Sequence, residues 1–163
     1  LNIESAVHEP SPRSREAMCR SSHLAGKAID ITKTTGPHAL SYGLAAACRI
    51  PHGHSVGLTL GGFIEFNALV SETDNNDPRG VSYARGIVAD IWSLLGTSTA
   101  YHARLRFTTL MESIRLSPRL SSFGITDPST CISLAAQVNS ERLGNNPRQP
   151  TVRQLEDLLI DLL

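Results

Sequence analysis

The sequence predicts an all-α fold, a multi-helix bundle of about seven helices. Three observations carry that expectation. Apolar residues recur at three- and four-residue spacing along most of the chain. Gly- and Pro-rich breakers separate these stripes. No alternation of strands with helices, no repeat period and no low-complexity tract occurs anywhere in the 163 residues. With 40% hydrophobic and 18% charged residues, the chain has enough apolar material for one domain with a real core. Residues 1–163 are accordingly read as a single helical domain.

Residues 1–12, polar and carrying Pro10 and Pro12, read as a lead-in loop. A first helix is expected from Ser11–Ser14, with a Ser cap ahead of Pro12. Ala17, Ser21, Leu24 and Ala28 give it a stripe of small residues, a surface that another helix can approach closely. Gly36-Pro37 punctuates the chain, and a second helix covers about His38 to Cys48. Ile50-Pro51-His52-Gly53 breaks it. The apolar segment Val56 to Val70 follows and reads as a buried central helix, although Val56, Leu58 and Leu60 also alternate as a strand would. Residues 72–78 are a loop by composition. Ala84, Ile87, Val88, Ile91 and Leu95 mark a fourth helix ending near Gly96. Ala103, Phe107, Leu110 and Ile114 mark a fifth, stopped before Pro118. A sixth is expected from Ile132 to Leu143. Thr151 with Gln154 forms a capping box for the seventh and last.

Net charge is zero with no run of like charges, which argues against nucleic acid or an anionic membrane as primary partner. Val56 to Val70 is too short to span a bilayer and contains Glu65. Cys19, Cys48 and Cys131 are few, odd in number and far apart. They read as small buried hydrophobes in a reducing, cytoplasmic setting. The chain starts at Leu1, as a processed product or a piece of a longer protein does.

The chemistry concentrates in residues 38–54, which hold three of the six histidines. His38 and His52 are candidate ligands of one metal. They lie fourteen residues apart, about 21 Å along a continuous helix. A break resolves this. Roughly ten helical residues carry the chain out by about 15 Å, and a few extended residues at about 3.3 Å each bring it back. Pro51 disfavours helix at Ile50, and Gly53 permits a sharp turn or a close approach. His54 is an equally available donor, and hydrogen-bonded core or surface histidines remain the simpler alternative. Imidazole suits Fe(II) and Zn(II). His23 reads as partly buried and structural. His8 and His102 read as surface residues, and Arg104, Arg106, Arg115 and Arg119 as a solvated face.

His38-x13-His52-Gly53, with Pro51 before it and an apolar helix after, resembles the histidine signature of the iron-containing alcohol dehydrogenase family. The resemblance extends over Ala25-Gly26-Lys27-Ala28, His38-Ala39-Leu40-Ser41-Tyr42, Phe66-Asn67 and the tail Asn146-Pro147-Arg148. In the form Thr35-x-Pro37-His38-Ala39-Leu40-Ser41-Tyr42 followed by Pro51-His52-Gly53-His54, it is similar to the phosphonoacetaldehyde reductase branch. The resemblance implies an NAD(P)H-linked aldehyde reductase with an Fe(II), or Zn(II), held by one Asp and three His. His38 and His52 would be the two later ligands. The earlier Asp-x3-His pair and the glycine-rich dinucleotide turn do not occur here. An N-terminal Rossmann-like domain is therefore expected to be absent from this chain, which alone is expected to lack turnover. Tyr42 stands where many members carry another His. It would either hydrogen-bond substrate or water near the metal, or serve as a packed aromatic. Expected partners are a small aldehyde or alcohol, the N-terminal domain or a separate subunit supplying it, and further copies in a homo-oligomer. The competing reading is a helical interaction module, or a complementing subunit, that has lost the complete metal site.

Overall fold

The computed structural model describes residues 2–163 and is helical throughout, with no strand among them. The helices are α1 (Asn2–His8), α2 (Pro12–Thr32), α3 (Gly36–Cys48), α4 (His52–Ala68) and α5 (Val81–Leu94). They continue with α6 (Ala100–Ser113), α7 (Pro128–Ala136), the four-residue α8 (Ser140–Leu143) and α9 (Val152–Ile160). A 3₁₀ turn spans Leu120–Phe123. The only bridge among the described residues is the isolated antiparallel pair Asn75 and Arg148.

The nearly all-apolar segment is the hub. Helix α4 packs on α3, α5, α6 and α9. Around it Leu40, Leu44, Phe63, Leu120, Leu155 and Leu159 are fully or almost fully buried. The strand alternative for residues 56–62 loses because Leu58, Phe63 and Phe66 belong to one helical core face. Gly36, the first residue of α3, packs under Phe63. A Cβ there would overlap the Phe63 ring. This close approach fixes the start of α3 against α4, and with it the position of His38 two residues on.

Caps set most boundaries. Ser11 and Ser14 form a reciprocal capping box for α2, with Pro12 in the first turn. Thr151 and Gln154 do the same for α9. Asp127 accepts from the Thr130 N–H (2.9 Å) at the head of α7. Hydrogen bonds from Ser129 and Thr130 hold its carboxyl down at about 2.

Several expectations need correction. The lead-in is not a loop, because Asn2–His8 is helical; α1 packs on α2, and Ser113 Oγ donates to Glu4 Oε1 (2.9 Å). The small-residue stripe of α2 is largely exposed, with Ala17 alone partly buried. Ser14 is the helix's one buried residue, and Leu24 and Ile29 are exposed. His23 and Cys19 lie on this exposed helix and are exposed too. The expected sixth helix is two, because the Asn139 side chain accepts from the Glu141 N–H (2.8 Å) and starts α8 afresh. Finally, Arg104 is not simply solvated. It pairs with Glu65 (3.1 Å) and Asp161 (3.4 Å), joining α4, α6 and the end of α9.

Candidate metal centre

The turn between α3 and α4 builds the site. Helix α3 ends at Arg49, which adopts the left-handed conformation (φ 54°) that closes a helix. Ile50 is buried and anchors the return. Pro51 is extended (φ −52°, ψ 137°), and α4 begins at His52. The outward helix and the extended return bring the two imidazoles together. The ring centres of His38 and His52 lie 5.3 Å apart, tilted by 59°. Two imidazoles on one ion at roughly 2.1 Å hold their centres about 4.5–5.5 Å apart. The observed pair is compatible with that geometry.

The surroundings of His38 favour its neutral ring, the form that ligates metals. Burial lowers the His38 pKa, and repulsion from His52 lowers it further. Ser41, one turn beyond His38, donates its hydroxyl hydrogen to the His38 carbonyl (2.8 Å). Its oxygen also makes a long contact with His52 Nδ1 (3.4 Å). A proton on Nδ1, donated to this oxygen, would leave the Nε2 lone pair free for a metal. Ser41 was not singled out in the sequence, although its i, i+3 spacing from His38 was visible.

His54 is not part of the pair. Its Nε2 bonds the Ser117 carbonyl (2.8 Å), and its ring meets Phe123 edge-on at 5.0 Å. These contacts tie α4 to the 3₁₀ turn. Beyond its chain neighbours and its own helix backbone, a Cβ at Gly53 would meet nothing within 4 Å, so no close approach requires glycine there. Tyr42 is half-exposed, with its ring 5.8 Å from His52. The Arg142 guanidinium carbon lies 4.1 Å from the centre of the Tyr42 ring, over its face. No sequence signal pointed to Arg142, which comes from α8 about a hundred residues on. Among the described residues, no group of three or more His, Cys, Asp or Glu gathers as a metal site, so the pair is two donors only. No helix among them is long and apolar enough to cross a membrane.

A second polar cluster lies at the opposite end of α4. Asn146 is fully buried. Its Nδ2 donates to Asn67 Oδ1 (2.7 Å) and to the Arg148 carbonyl (2.6 Å). Its Oδ1 accepts from the Gly36 N–H (3.2 Å) and from Asn67 Nδ2 (3.4 Å). Arg148 donates to Asp74 Oδ2 (2.7 Å) and the Phe66 carbonyl (3.1 Å), and lies over the Phe66 ring. The Asn67 and Asn146-Pro147-Arg148 segments are thus a latch joining the start of α3, the end of α4 and the tail.

Fold and site together define an all-helical domain that presents two facing imidazoles at a helix–turn–helix break. Residues 1–163 match the Fe-containing alcohol dehydrogenase family, C-terminal, and the chain belongs to that family. It is 31% identical over 150 residues to phosphonoacetaldehyde reductase of Streptomyces viridochromogenes, covering 92% of this chain and 37% of that protein. Sulfoacetaldehyde reductase from Bifidobacterium kashiwanohense, solved in complex with NAD+, superposes with a TM-score of 0.75 at 29% identity. That match covers 98% of this chain and 39% of the solved one. A 1,3-propanediol oxidoreductase shares the fold, with TM-score 0.73, 19% identity, and coverage of 99% of this chain and 41% of the other. The chain therefore spans about two-fifths of the length of these relatives.

Proposed function

We propose that the chain is the metal-binding part of an NAD(P)H-linked aldehyde reductase. The carrying observation is the His38–His52 pair, 5.3 Å apart, in a chain of the Fe-containing alcohol dehydrogenase family. In this reading His38 and His52 hold an Fe(II) or Zn(II), and the remaining donors and the nucleotide site come from a preceding Rossmann-like domain. When bound, such an ion polarises a carbonyl oxygen and stabilises the alkoxide that hydride delivery produces. The chain's own residues do the rest. Ser41 lies beside His52 Nδ1, and burial lowers the His38 pKa, which favours its neutral, ligating form. Tyr42 borders the pair on the solvent side. The relatives point to a short aldehyde with an anionic group, because one is named for phosphonoacetaldehyde and another for sulfoacetaldehyde.

The test is oxidation of NADH and NADPH by the full-length protein with phosphonoacetaldehyde, sulfoacetaldehyde and propanal. Aldehyde-dependent turnover is expected, falling at least about a thousandfold in His38→Ala and His52→Ala, on the order of 4 kcal/mol of transition-state stabilisation. Turnover indifferent to both substitutions, or none with any aldehyde, overturns the reading. The latter result favours a non-catalytic helical module instead.

A further inference from the structure

We infer that Arg142 selects for an aldehyde bearing a tetrahedral oxyanion, a phosphonate or sulfonate, with Tyr42 as the platform that holds it. The inference rests on the reductase reading above and adds the residue that sets its substrate class. Three rings stand in sequence here. His38 faces His52 at 5.3 Å, and His52 faces Tyr42 at 5.8 Å. The guanidinium carbon of Arg142 then lies 4.1 Å from the Tyr42 ring centre. These neighbouring contacts link the two imidazoles to the exposed positive charge of Arg142.

That charge is exposed and uncommitted. Among the described residues, the Arg142 guanidinium stacks on the Tyr42 ring and has no carboxylate or hydrogen-bond partner, unlike Arg79, Arg104, Arg148 and Arg153, which pair with carboxylates. Stacking uses the face of the guanidinium and leaves its edge donors free. Those donors border a cavity of about 200 Å³, lined by Tyr42, Leu134, Val138 and Asn139 among others. The cavity is large enough for a phosphonate or sulfonate group. Two parallel N–H donors match two oxygens of such a group, and a planar fork holds it better than a point charge does. A two-carbon aldehyde would then lay its carbonyl at the imidazoles and its charged end over the Tyr42 edge. Tyr42, read from the sequence as either a partner of substrate or water near the metal or a packed aromatic, becomes a positioning residue for Arg142.

The test uses the full-length protein and the ratio of kcat/KM for phosphonoacetaldehyde to that for propanal. Arg142→Ala should lower this ratio by about 10–100-fold, the equivalent of losing one charge-assisted pair. Arg142→Lys should restore part of it, since the charge returns without the fork. Tyr42→Leu should lower the ratio in the same direction by removing the platform. A binding readout accompanies these. Calorimetric titration with unreactive ethylphosphonate should weaken in Arg142→Ala by the same factor, with the melting temperature as the check on folding. A ratio unchanged within about threefold, in a protein that still reduces both aldehydes, overturns this inference and leaves the reductase reading intact. A change in KM for NAD(P)H in place of the aldehyde overturns it too, and assigns Arg142 to the cofactor phosphates. If wild-type protein reduces neither aldehyde, the reductase reading fails and this inference with it.

Discussion

Helix α4 carries a polar cluster at each end, and the two are built in opposite ways. At the Asn67 end, every amide of the latch has a partner within the chain, and Asn146 is sealed from solvent. At the His52 end, one long Ser41 contact is the only hydrogen bond that either imidazole makes among the described residues. Buried polar groups that are fully paired rigidify a core, whereas His52 is exposed and His38 partly so, and their open nitrogens face outward without a buried-group penalty. The latch therefore reads as structure and the histidine pair as a surface prepared for something outside the chain. The sequence shows both as short polar motifs beside apolar helix. What separates them is saturation, a property of the folded arrangement.

The sharpest way to break this comparison is to remove one member from each end. Asn146→Ala leaves the Asn67 amide and the Gly36 N–H buried without partners. It should cost about 2–4 kcal/mol in a denaturant melt. His52→Asn at the other end should cost less than about 1 kcal/mol in metal-free protein. Equal costs would mean that the histidine pair is a second structural cluster.

Gly36→Ala probes the link between the two ends. Its Cβ would press on Phe63, and overpacking of this kind costs about 1–3 kcal/mol. Because Gly36 begins the helix that carries His38, the variant should also weaken metal retention by the full-length protein. A melt and a metal assay that move independently would contradict that coupling.

The smallest effect is in pH, and it separates the ends by window. His38 has a lowered folded pKa, so the unfolded chain binds the proton more readily. Its contribution to stability is present above about pH 6.5 and is lost as the pH falls below that value. Asp74 works lower down. Burial raises its pKa, but hydrogen bonds from Arg148 and Ser71 outweigh that and hold it below the usual carboxylate value. Its contribution persists above about pH 4 and is lost on further acidification. In metal-free protein, His38→Asn should flatten the stability profile near pH 6, and Asp74→Asn should flatten it below pH 4. Crossed effects would show that the two ends are not independent.

Much of this arrangement was legible in the sequence, and the misses have physical causes. The Ser11 and Thr151 caps, the break at Pro51 and the start of α4 at His52 follow from local chemistry, which a linear reading can follow. Helix α1 was hidden because its seven residues bury none of their own side chains and lean on α2 and Ser113. The split between α7 and α8 turns on one capping side chain, Asn139. Spacing placed His38 near His52 but left His54 open as a ligand. Only the Ser117 and Phe123 contacts, from more than sixty residues away, assign His54 to packing. Arg142 over Tyr42 is a contact of the same long-range kind.

The central claim is that His38 and His52 are half of a ligand set completed by the rest of the protein. Metal content of the purified full-length protein tests it most directly. The account predicts about one Fe or Zn per chain in wild type and in His54→Ala, with loss in His38→Ala and in His52→Ala, each variant still folded. A full complement of metal retained in folded His52→Ala would contradict it.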